Sequence, residues 1–242
     1  MPEVLAGVDG CRGGWIAALG SPPSTCKIRF YASIEELLRD KKISIIVVDM
    51  PIGLACDGRR RCDRLARECL PPFRTASVFP SPARHVLTFR GYHSYHSANA
   101  WSEENLGREL PIQSYSLVPK IREIDRAIGP ADQARLFESH PELAFHRLAN
   151  PELAYRRLAR GVSLASKKTP EGQAERQRLL LSAGLQGLES ALDCLPRGAM
   201  PDDVLDAAMM LVVAARILSG RAERLPSLPE RDERGLDMAM WV

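Results

Sequence analysis

The 242-residue chain is 45% hydrophobic and 26% charged, an ordinary composition for a globular protein that excludes a largely disordered chain. Its formal charge of +3 permits a nucleic-acid partner without indicating one. Six cysteines at irregular spacings, with no secretory-signal pattern, favour reduced thiols and a cytoplasmic location. The longest nearly apolar run, at 207–215, is shorter than the roughly 20 residues that cross a bilayer, so no membrane segment is expected.

Three antiparallel strands are predicted near the start of the chain. The apolar run at 4–8 is followed by a glycine-rich turn at 10–14, which returns the chain into a second apolar run at 15–19. Apolar and charged residues then alternate at 27–31, as in a strand with one buried face. The pattern predicts a hairpin with a third strand beside it.

A helix and a buried strand are predicted next. Ser33 and Glu36 have the spacing of a capping box at the start of a helix that is expected to end near residue 41. The Ile/Val run at 43–48 suits a central strand, buried on both faces and parallel to its neighbour across a helical crossover. This strand ends in Asp49 and is stopped by Pro51. The resulting order, β-β-β-α-β, indicates an α/β domain.

The rest of the chain predicts one domain over 1–242 that carries two insertions. Patterns are weak from about 54 to 130, and the segment at about 144–200 is mostly helical. No linker or repeat divides the chain. The other predicted elements are helices at 118–128, 171–181 and from Pro201 to about 218, a short strand at 134–138, and an edge strand within 235–242.

Acidic residues stand where these elements would converge. Asp9 and Asp49 end strands that become neighbours if they pair in one sheet, and Glu138 ends a later strand. Asp203 and Asp206 are three residues apart and would project from one helix face. Carboxylates about 4 Å apart repel by several kcal/mol, enough to raise a pKa or to require a metal ion. Oxygen ligands select Mg²⁺ or Mn²⁺, and two such ions are expected.

Each acid also has a simpler interpretation. Asp9 could form the glycine turn, Asp202 is better explained as a helix N-cap than as a ligand, and Asp203 and Asp206 could serve only the helix dipole. Asp49 is harder to explain in this way, because a buried acid without a partner is costly.

Basic residues supply candidate contacts to a phosphate. These candidates are Arg12, Arg84, Lys167 and Lys168. The arginine-rich segment at 59–67 is typical of a solvated face, although near a metal site it could contact backbone phosphates. Cys56, Cys62 and Cys69 lack the close pairs of a zinc site.

Six ordered motifs resemble the predicted RNase H-like nuclease family catalogued as domain of unknown function 429. The motifs are Gly7-Val-Asp-Gly-Cys-Arg-Gly-Gly-Trp15, Val47-Val-Asp-Met-Pro-Ile-Gly53, Ser77-Val-Phe-Pro-Ser-Pro-Ala-Arg84, Glu138-Ser-His-Pro-Glu142, Ser166-Lys-Lys-Thr169 and Asp202-Asp-Val-Leu-Asp-Ala207. The resemblance covers nearly the whole chain.

This resemblance implies an RNase H-like mixed sheet, in which three antiparallel strands precede parallel strands with crossover helices, interrupted by helical insertions. It implies nuclease activity only by analogy, because a fold does not fix a function. The segment from Asp203 to Asp206 is also similar to the last-helix motif of Holliday-junction resolvases, so Asp9, Asp49 and Asp203 or Asp206 correspond to the catalytic acids. Resolvases carry glutamate in place of the shorter Asp49, and Glu138 is expected to fill that space.

The leading hypothesis is a magnesium- or manganese-dependent hydrolase that cuts phosphodiesters of nucleic acid. Two alternatives stay open. One is an ATP-dependent phosphotransferase of the actin and sugar-kinase type, whose first strand carries a similar Asp-Gly hairpin, although such proteins need two RNase H-like halves. The other is a non-catalytic nucleic-acid-binding module.

Overall fold

In the part of the chain that the structure describes, nine strands form one large sheet and one small one. The computed structural model describes residues 3–153, 158, 160–196 and 198–242. The strands are β1 (Val4–Cys11), β2 (Gly14–Gly20), β3 (Ser24–Thr25), β4 (Lys27–Tyr31), β5 (Ile43–Val48), β6 (Leu136–Glu138), β7 (Leu185–Gln186), β8 (Arg224–Arg231) and β9 (Asp237–Trp241). The large sheet has seven strands in the order β4-β2-β1-β5-β6-β9-β8, and β3 pairs with β7 apart from it.

Eight helices connect and cover these strands in the described part of the chain. They are α1 (Ile34–Arg39), α2 (Arg61–Cys69), α3 (Tyr95–Leu106), α4 (Ile112–Ala127), α5 (Pro141–Ala149), α6 (Pro170–Ser182), α7 (Leu188–Asp193) and α8 (Pro201–Leu218). Short 3₁₀ turns lie at Pro72–Ser77, Arg84–Thr88, Tyr92–Ser94 and Pro130–Ala134. Among the described residues, no helix combines the length and apolarity that a membrane crossing requires.

The predicted mixed α/β sheet is present. Strands β1, β2 and β4 pair antiparallel, and β5 and β6 follow as parallel neighbours of β1. The Asp49 N–H donates to the Val8 carbonyl at 2.9 Å, and the Ser139 N–H donates to the Val48 carbonyl at 3.1 Å. The carboxyl ends of β1, β5 and β6 therefore lie side by side at one edge of the sheet.

Both faces of the sheet are buried, which explains why β5 is apolar throughout. Leu5 and Val47 face the core layer formed with α8, whereas Val8 and Val48 face the layer formed with α1 and α4. Side chains alternate along a strand, so residues two apart share a face. Asp9 and Asp49 thus belong to the α8 face.

Helix α8 packs directly on β1, and a glycine makes this approach possible. A Cβ atom added to Gly7 would lie 1.9 Å from the Leu211 nitrogen and 2.2 Å from the Ala207 carbonyl oxygen. Both atoms are backbone, so the helix could not yield by moving a side chain. The glycine therefore sets how closely α8 and β1 can pack.

Two of the predicted helix starts, those of α1 and α6, agree with the structure. The Ser33 hydroxyl accepts a hydrogen bond from the Glu36 N–H at 3.2 Å, ahead of α1. The Thr169 hydroxyl accepts from the Gly172 N–H at 3.2 Å, ahead of α6. Helix α4 begins at Ile112 instead of near residue 118 and contains Pro119.

The predicted edge strand at the end of the chain is wrong in its position. Strand β9 lies inside the sheet between β6 and β8, and β8 forms the edge. Sequence patterns missed β8 because Pro226 and Pro229 interrupt it. Proline removes a ladder donor and is tolerated on an edge strand, where one side makes no sheet hydrogen bonds.

Candidate metal centre

Three aspartates from distant parts of the chain meet at the carboxyl edge of the sheet. Asp9 and Asp49 arrive from β1 and from the residue after β5, and Asp206 arrives from the second turn of α8. Each offers one carboxylate oxygen, and the three oxygens lie within 4.8 Å of one another. We call these residues the aspartate cluster. The predicted convergence of Asp9, Asp49 and Asp206 is therefore present.

The three carboxylates differ in what holds them. The Gly10 N–H donates to Asp9 Oδ1 at 2.7 Å, and the ammonium of Lys167 pairs with Asp206. Within the described residues, no hydrogen bond engages the carboxylate of Asp49. Asp9 and Asp206 are thus positioned by the protein, while the Asp49 oxygens are available to a ligand.

Burial raises the pKa of every member of the cluster. The pKa of Asp9 lies well above its ordinary value because of burial and then because of Asp49 and Asp206. Burial raises the pKa of Asp49 to about 7 and that of Asp206 to about 6, and Lys167 opposes both shifts. The carboxylates together hold the pKa of Lys167 above its ordinary value although burial lowers it. One ammonium therefore does not neutralise three acids, and a further cation would stabilise their charged forms.

Glu138 lies near the cluster but faces another partner. In the sheet it is level with Val48, so it points to the face opposite Asp9 and Asp49. It accepts a hydrogen bond from the Ile52 N–H at 2.7 Å and pairs with the buried guanidinium of Arg60. Burial raises its pKa to about 7 even though Arg60 opposes the shift. The structure does not bring Glu138 into the aspartate cluster.

Asp202, Asp203 and Asp206, in the first two turns of α8, have different contacts. The Asp203 carboxylate accepts a hydrogen bond from the Met200 N–H at 2.8 Å, which closes the first turn of the helix. Asp202, the predicted N-cap, instead lies inside the helix with a carboxylate oxygen 3.9 Å from Lys167 Nζ. Of these acids only Asp206 reaches the cluster.

The four predicted phosphate contacts are also placed differently. Lys167 reaches the cluster, and Lys168 beside it is exposed. Arg12 is exposed in the turn between β1 and β2. Arg84 is committed elsewhere, because its guanidinium pairs with Asp125 at 3.0 Å and with the buried Asp232.

A second group of possible metal ligands in the described part of the chain includes one cysteine. Cys62, Asp63 and Glu138 offer atoms within 4.8 Å of one another, but the Arg60 guanidinium occupies their midst. Arg60 donates to the Cys62 sulfur at 2.9 Å and lies 3.2 Å from Asp63. A buried arginine is thus the cation of this second acidic group.

A cleft of about 600 Å³ opens over the aspartate cluster. Its lining includes Lys120 and His140, which were not predicted from the sequence as site residues. His140 Nε2 lies 3.2 Å from the Ser77 carbonyl, and its buried Nδ1 has no hydrogen-bond partner among the described residues. Burial lowers the pKa of His140 and so favours the neutral ring. The Ser-His-Pro motif at 139–141 was the available signal for this histidine.

These observations define a mixed α/β protein with a three-carboxylate cluster at the carboxyl edge of its sheet. The family model described as protein of unknown function (DUF429) matches residues 7–231. The chain belongs to this family. Comparisons with curated proteins and with solved structures gave no match.

Proposed function

We propose that the protein is a divalent-cation-dependent phosphodiesterase that acts on nucleic acid. The observation that carries this proposal is the convergence of Asp9, Asp49 and Asp206 within 4.8 Å at the base of an open cleft. Two buried acids and one partly buried acid are costly to hold together without a cation, and the cleft gives a substrate access to them.

The donor set fits a hard cation. All three ligands are carboxylate oxygens, which suit Mg²⁺ or Mn²⁺ and disfavour zinc relative to sites with cysteine or histidine. Three ionised aspartates and one lysine sum to a charge of −2, which a single divalent ion balances. We therefore propose one ion, with Lys167 as the second positive group, in place of the two ions expected from the sequence.

Other groups of the protein would position two of the three carboxylates and contact the substrate. The Gly10 N–H and Lys167 fix Asp9 and Asp206, and Asp49 stays free to turn toward an incoming group. When bound, the cation supplies Lewis-acid polarisation of a phosphoryl oxygen. His140 Nδ1, which has no partner among the described residues, can accept a hydrogen bond from a group bound in the cleft.

We also propose that the fold is RNase H-like. Support comes from three consecutive antiparallel strands followed by the parallel strands β5 and β6, with acids at the ends of β1 and β5. The last helix, α8, brings the third acid to the same edge of the sheet. This combination is the arrangement that the sequence motifs led us to expect.

The test is cleavage of labelled single-stranded, duplex, hybrid and branched oligonucleotides with Mg²⁺ or Mn²⁺. Wild type should cut at least one form, and Asp9→Asn, Asp49→Asn and Asp206→Asn should each lose at least about 100-fold in rate, as expected when a charge-stabilising group is removed from a reacting centre. Asp202→Asn is the matched control, since it removes an acid of the same helix that lies outside the cluster. An inert wild type, or cluster variants as active as this control, would overturn the proposal.

A further inference from the structure

A second hollow, of about 450 Å³, adjoins the cleft. Arginines dominate its lining, and we call it the arginine groove. Its cationic members are Arg59, Arg60, Arg61, Arg64, Arg67 and Arg108, and the acids in its lining are Asp63 and Glu230. Asp63 also lines the cleft over the aspartate cluster, so the two hollows share a wall.

The geometry of α2 aligns these charges. Arg61, Arg64 and Arg67 follow one another at intervals of three residues, so they run along one side of the helix over roughly 9 Å. The other side of the helix buries Cys62 and Ala66 in the core. The helix is therefore anchored while its cationic side faces the groove.

Most of the groove's positive charge is not neutralised by the protein. Arg60 is used internally by Asp63 and Glu138. Arg64 pairs with Glu68 at 2.5 Å, but both side chains are more than half exposed, so the pair is weak.

The other four arginines of the groove lack a carboxylate partner among the described residues, and one of them, Arg108, donates to the Asp57 backbone carbonyl. Among the residues that the structure describes, no ion pair engages Arg59, Arg61 or Arg67. The buried Arg67 Nη2 also lacks any hydrogen-bond partner, while its Nε donates to the Val78 carbonyl at 2.9 Å. An anionic ligand would supply the missing acceptor.

An exposed aromatic ring stands between the groove and the cleft. Phe79 is 41% exposed and lines the cleft, and the adjacent Pro80 lines the arginine groove. Aromatic rings next to cationic grooves are the usual platform for unstacked bases in proteins that bind single strands.

From this juxtaposition we propose that the arginine groove binds the backbone of single-stranded nucleic acid and that Phe79 stacks on one of its bases. A duplex would satisfy the arginines but not Phe79, because its bases are already stacked and paired. One part of this inference rests on the proposed function: that a strand bound in the groove presents a phosphodiester to the aspartate cluster for cleavage. Binding itself requires no turnover.

The test is fluorescence anisotropy with a labelled mixed-sequence oligonucleotide and its duplex, in EDTA, across a range of salt concentrations. Wild type should bind the single strand more tightly. The double variant Arg61→Gln/Arg64→Gln should flatten the dependence of log affinity on log salt by about 1.4, because each lost phosphate contact to a single strand contributes about 0.7. Phe79→Ala should weaken binding about 10-fold with little change in that slope.

Controls separate the groove from general effects. Arg39→Gln removes an exposed arginine of α1 that lines neither hollow and should change nothing. Phe79→Trp should retain binding, and thermal melts verify that each variant is folded. Equal affinity for duplex and strand, or a double variant that matches Arg39→Gln, would overturn the inference.

The outcomes also keep the two proposals apart. Cleavage of a small phosphodiester such as bis(p-nitrophenyl) phosphate, without the predicted strand binding, would refute the groove alone. Strand binding with the predicted variant effects, by a protein that cleaves no substrate, would refute the proposed hydrolase and support the groove.

Discussion

Replacing Lys167 with methionine removes the ammonium that pairs with Asp206 while keeping much of the side chain's length. Asp206 is 1% exposed as a residue and shares the cluster with two other acids. In the absence of metal, the variant therefore leaves two buried carboxylates and the partly buried Asp49 carboxylate close to one another. Its free energy of unfolding in EDTA should fall, and saturating Mn²⁺ should restore most of the loss.

The size of the effect follows from the distances. Two carboxylate charges of the cluster 4.8 Å apart, the upper limit of their separation, repel by roughly 3 kcal/mol at an effective dielectric constant of 20. Removing one partner of a fully buried pair costs about 3 to 5 kcal/mol. The Lys167 side chain is 38% exposed, so solvent screening reduces the expected loss to about 1 to 2 kcal/mol. A metal present at about 100 times its dissociation constant stabilises the folded state by about 2.7 kcal/mol, enough to offset this loss.

Urea unfolding near neutral pH, in EDTA and in MnCl₂, measures both quantities. Lys168→Met is the matched control because the neighbouring lysine is exposed and has no ion pair among the described residues. If Lys167→Met were no less stable in EDTA than this control, the assignment of Lys167 as the counter-ion of the cluster would be wrong. Failure of Mn²⁺ to restore stability would contradict the metal site.

Three further predictions concern packing, protonation and Glu138. Gly7→Ala should destabilise the fold by about 3 kcal/mol or more in thermal unfolding, because its Cβ meets backbone atoms of α8, whereas Gly129→Ala, with open space around it, should not. In EDTA the free energy of unfolding should fall by about 1 kcal/mol per pH unit as pH rises from about 4 to 7, because the folded state binds the proton of Asp49 more tightly than the unfolded chain does. Urea titrations at several pH values measure this slope, and Asp49→Asn should flatten it. Glu138→Gln should lower the free energy of unfolding by about 1 to 3 kcal/mol, because it weakens the contact with Arg60. The variant should still bind Mn²⁺ as wild type does in calorimetry, and weaker binding would show that Glu138 belongs to the metal site.

Much of the candidate site could be predicted because it depends on strand ends. The apolar runs that become β1 and β5 end at Asp9 and Asp49, and parallel neighbours place their carboxyl ends together. The aspartates at 203 and 206 were correctly assigned to the last helix. Choosing between them required the contact of α8 with β1, which places Asp206 over the sheet and leaves Asp203 at the helix start.

The remaining assignments depend on register and on distant partners, which local patterns do not encode. Glu138 ends a strand at the correct edge, but its register with Val48 turns it to the opposite face. Arg84 belongs to a conspicuous motif, yet its partner Asp232 lies 148 residues away. The Ser-Lys-Lys-Thr motif likewise drew attention to Lys167, while its pairing with Asp206 emerges only from tertiary packing.

Anomalous diffraction from crystals soaked in manganese tests the central claim most directly. We expect one manganese peak per chain, with a carboxylate oxygen of Asp9, Asp49 and Asp206 each about 2.1 Å from it, a distance typical of small hard divalent ions. Lys167 should remain beside Asp206. No peak among these three residues at saturating manganese, or a peak only beside Glu138, would contradict the account.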